Sequence, residues 1–189
     1  VYGNDKYSIE CYNISSSKNS IIIPNAHKDT IYCCRHYLDF INQRDILITS
    51  SFDKHIKLWD FNTKTNILDI IENNYPGSAC CTYLSSTKEN CLITSNVNGI
   101  IKKLNFNGNL IGKEIKNLGL IYFVDIFNDN INKKDYIIIG NDKSVLSYDL
   151  NKGELYNNYD DGNSSSHVSA LIINDKNPIL IESSWDGYI

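Results

Sequence analysis

The chain has 189 residues, 42% of them hydrophobic and 21% charged, which suits a packed globular core and excludes a disordered or low-complexity chain. A net charge of −4 and a pI near 5.5 argue against a nucleic-acid footprint, which needs a basic face. No apolar run reaches the roughly 18 residues of a membrane span, and no charged-then-apolar leader opens the chain.

The 13 tyrosines and the abundance of Ile, Asn and Ser favour strands joined by polar turns. In chain order, Gly3-Asn4-Asp5-Lys6 reads as a turn, and the residues up to Ile14 as the strand leaving it. Ser15 to Ser20 reads as a polar loop and Ile21-Ile22-Ile23 as a short outer strand, after which Pro24-Asn25-Ala26 leads to His27. The next unit is the best formed, with strands at Thr30 to Leu38, Ile46 to Ser51, Ile56 to Trp59 and Ile67 to Ile71. A third unit runs from Cys91 through Asn98 to Leu104-Asn105.

Gly108 to Glu114 approaches a phosphate-binding loop, but it is one residue short between its glycines, has Glu where Ser or Thr is needed and precedes no helix, so it reads as a turn. Strands follow at Leu120 to Phe127 and Tyr136 to Ile139, the latter running on to Tyr148-Asp149. Asp160 to Ser166 is a loop leading to His167, then come strands at Val168 to Ile173 and Ile179 to Glu182, and Trp185-Asp186 opens a last turn. Lys102-Lys103 and Asp160-Asp161 are expected to be solvated. Val1 and the lack of any Met lead us to expect a longer native chain.

Turns at Asp5, Asp53, Asn98, Asp142 and Asp186 answer one another at spacings of 48, 45, 44 and 44 residues. With this period, and with His27, Thr49, Asp53 and Trp59-Asp60 in one unit, the stretch 27–60 resembles a WD40 repeat, and the rest of the chain resembles weaker copies of it. The resemblance implies an all-β fold of four-stranded antiparallel blades, a partial β-propeller over 1–189 with units at about 5–52, 53–97, 98–141 and 142–185. Both ends cut a blade at the same phase, so a larger ring, seven-bladed by default, is expected.

The resemblance also assigns His27, Thr49, Asp53 and Trp59 to a hydrogen-bonded structural tetrad. Asp53 would accept from one imidazole nitrogen, while Thr49 would meet the other nitrogen and take the Trp59 N–H. The other units depart from this pattern. Asn98 and Leu104 replace Asp and Trp in the third, Ile138 and Tyr148 replace Thr and Trp in the fourth, and Glu182 takes the Thr place in the last. A hydrolase triad of Ser50 or Thr49, His27 and Asp53 is the rival reading, but no G-x-S-x-G elbow supports it.

Six cysteines stand as two adjacent pairs, Cys33-Cys34 and Cys80-Cys81, with Cys11 and Cys91 apart and no C-x-x-C. They read as small core residues in a reducing compartment, with no metal and no cofactor implied. The expected function is a non-enzymatic protein–protein interaction scaffold, presenting loops to proteins or peptides within a multiprotein complex. The expected location is intracellular and cytoplasmic, with the nucleus as the alternative. The rival functions are a structural component of a cytoskeletal or coat assembly and a hydrolase built on a propeller. Thr30, Tyr32, Phe52 and Trp185 are the candidate partner-binding residues, because large side chains on rigid turns make good anchors.

Overall fold

A computed structural model describes residues 2–3, 7–13, 15–16, 18–72, 80–159, 167–173 and 179–184. All regular elements among them are strands, in two compact units, Val1–Pro76 and Gly77–Ile189. In the first unit, β1 (Tyr2–Gly3), β2 (Ile9–Asn13) and β3 (Lys18–Ile23) form a three-stranded sheet in that order. Next come β4 (Ile31–Asp39), β5 (Arg44–Ser51), β6 (His55–Asp60) and β7 (Asn66–Ile71), an antiparallel meander of four strands. The second unit begins with β8 (Cys81–Leu84), β9 (Asn90–Ser95) and β10 (Ile101–Asn105). A second four-stranded meander follows as β11 (Ile121–Asp129), β12 (Lys134–Asn141), β13 (Val145–Asp149) and β14 (Glu154–Tyr159), then the pair β15 (His167–Ile173) and β16 (Ile179–Ser184).

Three inner strands hold unbroken buried runs: Ile46 to Ser51 in β5, Cys91 to Ser95 in β9 and Asp135 to Asn141 in β12. Such runs suit strands covered on both faces, whereas outer strands alternate or lie open. In the first unit the sheets pack through Ile9, Ile23, Ala26, Ile31, Leu47 and Trp59. In the second, Cys91, Ile93 and Ile101 of one sheet meet Ile121, Val124, Ile137 and Ile139 of the next. Five of the six cysteines are buried, Cys34 is partly so, and all six are free thiols.

The sheets share two irregularities. The first strand pair slips register between Ile31 and Cys33, between Ile121 and Phe123, and between His167 and Ser169. The outer pair slips between Cys11 and Tyr12, Leu58 and Trp59, and Ser147 and Tyr148. Both bulges recur in the two four-stranded sheets and neither occurs in β8–β9–β10, and where they recur they bend and twist the sheets alike, a sign of repetition beyond residue identity.

Three expectations are corrected. Strand β3 begins at Lys18 instead of after Ser20, because Asn13 and Tyr12 pair with Lys18 and Asn19; an outer strand tolerates polar residues, so polarity did not mark a loop. The third unit has no regular outer strand, since Leu110 and Ile115 pair singly with Leu104 and Ile101. Five positions there answer rungs three apart, and the excess is taken up around Gly112, whose φ is 74°. Lys103, expected in solvent, is buried.

Gly140 in β12 is required by packing. A Cβ there would lie 1.9 Å from Cε1 of Phe123, whose ring rests on the glycine and is enclosed by Ile138 and Val145. Gly140→Ala is therefore expected to destabilise the chain by about 1–3 kcal/mol in urea unfolding, with partial recovery when Phe123→Leu is added.

Candidate functional site

The loop before β4, the β5–β6 turn and the middle of β5 converge around one imidazole. His27 Nδ1 lies 3.0 Å from Asp53 Oδ2, and its Nε2 lies 2.8 Å from Thr49 Oγ1. Trp59 Nε1 donates to the same Thr49 oxygen at 2.9 Å. A carboxylate only accepts, so the proton of neutral His27 sits on Nδ1. Nε2 then accepts from the Thr49 hydroxyl, and the donors run in one direction from Trp59 through Thr49 and His27 to Asp53. Asp53 also receives the Lys28 and His55 amides at 2.8 and 3.0 Å.

Surrounding contacts anchor the loop that carries the imidazole. The His27 amide bonds the Tyr7 carbonyl at 3.1 Å, and Lys57 Nζ bonds the Ala26 carbonyl at 2.8 Å while lying 5.6 Å from the centre of the Trp59 ring. Ser51 Oγ donates to the Asp29 carbonyl and accepts the Asp53 amide, tying the loop to the turn from the other side.

Burial pushes the pKa of His27 below its ordinary 6.5, against the pull of Asp53. Burial alone would raise Asp53, but the Lys28 and His55 amides and His27 outweigh it and hold the carboxyl below 3.8. Thr49 and Ser50 are fully buried, and the Thr49 hydroxyl is engaged on both sides, by His27 and by Trp59. Among the described residues no group of three His, Cys, Asp or Glu side chains could hold a metal ion.

Of the candidate docking residues, the structure brings three together. Phe52 is 49% exposed and meets Tyr32 edge-on, with centroids 4.6 Å apart at 66°. The Phe52 amide donates to the Thr30 carbonyl at 3.0 Å, and the Thr30 amide to Asp29 Oδ1 at 2.6 Å. Trp185 lies outside the described residues.

Strand register shows what replaces the four-residue chain elsewhere. Thr94 pairs with Lys102 as Thr49 does with Lys57, and Leu104 and Tyr148 fall on the rung of Trp59. In the fourth unit the residue on the Thr rung is Ile139 and not Ile138, because the β12–β13 turn closes from Asn141 to Ser144, one residue shorter than its counterparts.

Sequence reasoning missed a second family of side chains, the turn caps. Asp60, Asn105 and Asp149, each beside the Trp position, use Oδ1 to accept two backbone amides of the following turn. Asp39 and Asp129 do the same for the β4–β5 and β11–β12 hairpins and also bind Asn42 and Asn132. The signal was present: Asp39-x-Ile41-Asn42-x-Arg44-Asp45 recurs 90 residues on as Asp129-x-Ile131-Asn132-x-Lys134-Asp135.

No family model and no curated protein sequence matches the chain. Solved structures do resemble it. The computationally designed Ika4 protein superposes with a TM-score of 0.64 at 18% identity, over 86% of this chain and 89% of that one. The computationally designed Ika8 protein does so with a TM-score of 0.70 at 17% identity, over 98% of this chain and 52% of that one. The chain thus spans about half of the Ika8 chain, and at these identities the likeness is one of fold. Fold and comparison together define an all-β protein of successive antiparallel sheets, the complete ones four-stranded.

Two outcomes follow from the geometry. Thr49→Val would strand the Trp59 N–H and leave His27 Nε2 without its donor in a fully buried place, and a loss of about 2–4 kcal/mol in urea unfolding is expected. Stability should also fall with acidification in two windows. Unfolded chains bind the His27 proton near pH 6.5 and folded chains only below it, so the loss begins as pH drops under 6.5. The Asp53 contribution is intact above pH 3.8 and is lost as pH falls through its lower folded value. Thermal melts of wild type and His27→Gln between pH 7.5 and 5 check the first window, which the substitution should flatten.

Proposed function

We propose that the chain is part of a WD40-type propeller and serves as a non-enzymatic scaffold, its braced loops docking another protein within a multiprotein complex. The observation that carries this reading is Phe52, a large apolar side chain held half-exposed on a turn that cannot relax. Its backbone is pinned to Thr30, its ring is set edge-on to Tyr32, and the next residue, Asp53, is fixed by His27 and two amides. Rigid, exposed aromatics lose little conformational entropy on binding, which is what an interface anchor needs. The period of the turns, the shared bulges and the four-residue chain in the unit 27–60 support the propeller part of the reading. A partner for such a surface would present an apolar or aromatic side chain between polar contacts to the neighbouring loop.

Phe52→Ser is the decisive variant. The proposal expects proximity labelling of partner proteins in the native cell to fall at least about tenfold, the loss of one anchor residue, while the melting temperature changes by no more than about 3 °C. Unchanged labelling would remove the docking role. A collapse of the melting temperature would instead make Phe52 a packing residue of the Thr30 loop.

A further inference from the structure

The second unit contains a buried polar cluster outside the repeat pattern. On one face of its first sheet Tyr83 stands opposite Cys91, and Lys103 stands opposite Ile93, two positions along from Cys91 on that face. Lys103 is only 5% exposed. Its Nζ lies 3.3 Å from Asn151 Oδ1, 3.8 Å from Asp135 Oδ2 and 5.9 Å from the centre of the Tyr83 ring. Asp135 comes from the neighbouring sheet and is itself buried. Its Oδ1 accepts the Ser86 amide and the Asn128 side chain, each at 2.9 Å.

The hydrogen-bond inventory of this cluster does not close among the described residues. An ammonium carries three donors, and only Asn151 lies within hydrogen-bond distance of Lys103 Nζ. Asp135 Oδ2 faces Lys103 at 3.8 Å, too long for a direct bond and a separation that one bridging molecule fills. Of the residues that touch this pair, Tyr83 through its ring and Ser86 through its amide, both hydroxyls are buried with no hydrogen-bond partner among the described residues. The Cys91 thiol lies beside the Tyr83 hydroxyl, but a thiol is only a weak hydrogen-bonding group and leaves the hydroxyl under-satisfied. Orphaned polar atoms inside a protein are rare, and two of them beside an underbonded ion pair mark a site for a small hydrogen-bonding molecule.

We propose that this cluster binds one ordered internal water, which bridges the Lys103 ammonium and the Asp135 carboxylate and completes the hydroxyls of Tyr83 and Ser86. The ligand is neutral because the charges of Lys103 and Asp135 already cancel. An anion would face the carboxylate across the same gap, and a cation would face the ammonium. A water serving these four groups, two of which can both donate and accept, would have the two to four partners that a buried water takes. The water completes a brace between the two sheets in a unit whose turn lacks the His and Trp of residues 27–59.

The sign of a stability change tests this. If the water is bound, Tyr83→Phe and Ser86→Ala each remove one of its partners, and each should raise the unfolding equilibrium constant about three- to tenfold. Their double variant should show less than the product of the two effects, because both act on the same molecule. If Tyr83→Phe lowers the unfolding constant, it has relieved an unsatisfied hydroxyl and the proposal is wrong. A high-resolution crystal structure of the unaltered chain should show a peak within about 3.2 Å of at least three of the four groups. Lack of that peak overturns the proposal. So would stabilisation by chloride at constant ionic strength that Tyr83→Phe abolishes, since it would put an anion there.

Discussion

The constraint on which the rest of the structure depends is the burial of β5, β9 and β12 on both faces. Their buried runs offer no solvated side, so their side chains are small, apolar or, like Asp135, paired, and every backbone group must find a partner. Burial of runs such as Ile46-Leu47-Ile48 is the main source of stability, at about 1.5–3 kcal/mol for each large side chain before entropy is counted. The turns joining such strands are short, and their amides would be left unpaired if the chain relied on backbone alone. Asp39, Asp60, Asn96, Asn105, Asp129, Asn141 and Asp149 supply the missing acceptors, each bonding at least two amides of its own turn.

Two polar devices solve the same problem of fixing one layer against another. In the first unit, a directional chain from Trp59 to Asp53 joins loop, turn and two strands without a formal charge on the imidazole. In the second, Lys103 and Asp135 join two sheets as a buried ion pair. A neutral network loses little on burial once every donor is matched. A buried ion pair loses much of its hydration and holds only where surrounding groups such as Asn151, Asn128 and the Ser86 amide replace it. The ammonium also lies near the face of Tyr83, a contact available only to a desolvated cation.

Much of the strand order was legible in the residues. Apolar runs broken by Asn, Asp, Gly and Ser place most strands of β4 to β7 and β11 to β13 within one or two residues of where they lie. The residue types of the chain at His27, Thr49, Asp53 and Trp59 were legible too, because their spacing repeats a pattern. Less legible were features whose chemistry looks ordinary in one dimension. Lys103 follows Lys102 in a strand, and nothing local distinguishes the lysine that faces Asp135 from the one beside it. Lys18 and Asn19 looked like loop residues because an outer strand, half open to water, does not filter its composition.

The sequence by itself determined most strand positions and the breaks between them, since these follow from short-range propensity and from apolar runs interrupted by Asn, Asp, Gly and Ser, while its resemblance to a repeat implied the antiparallel all-β class. Only the tertiary structure decided register: the bulges after Ile31 and Ile121, the shorter turn that puts Ile139 and not Ile138 on the rung of Thr49, and the depth of Lys103. The physical reason is that a strand's side chains alternate with a period of two. A one-residue slip therefore exchanges inside for outside, and whether a slip occurs is set by partners tens of residues away.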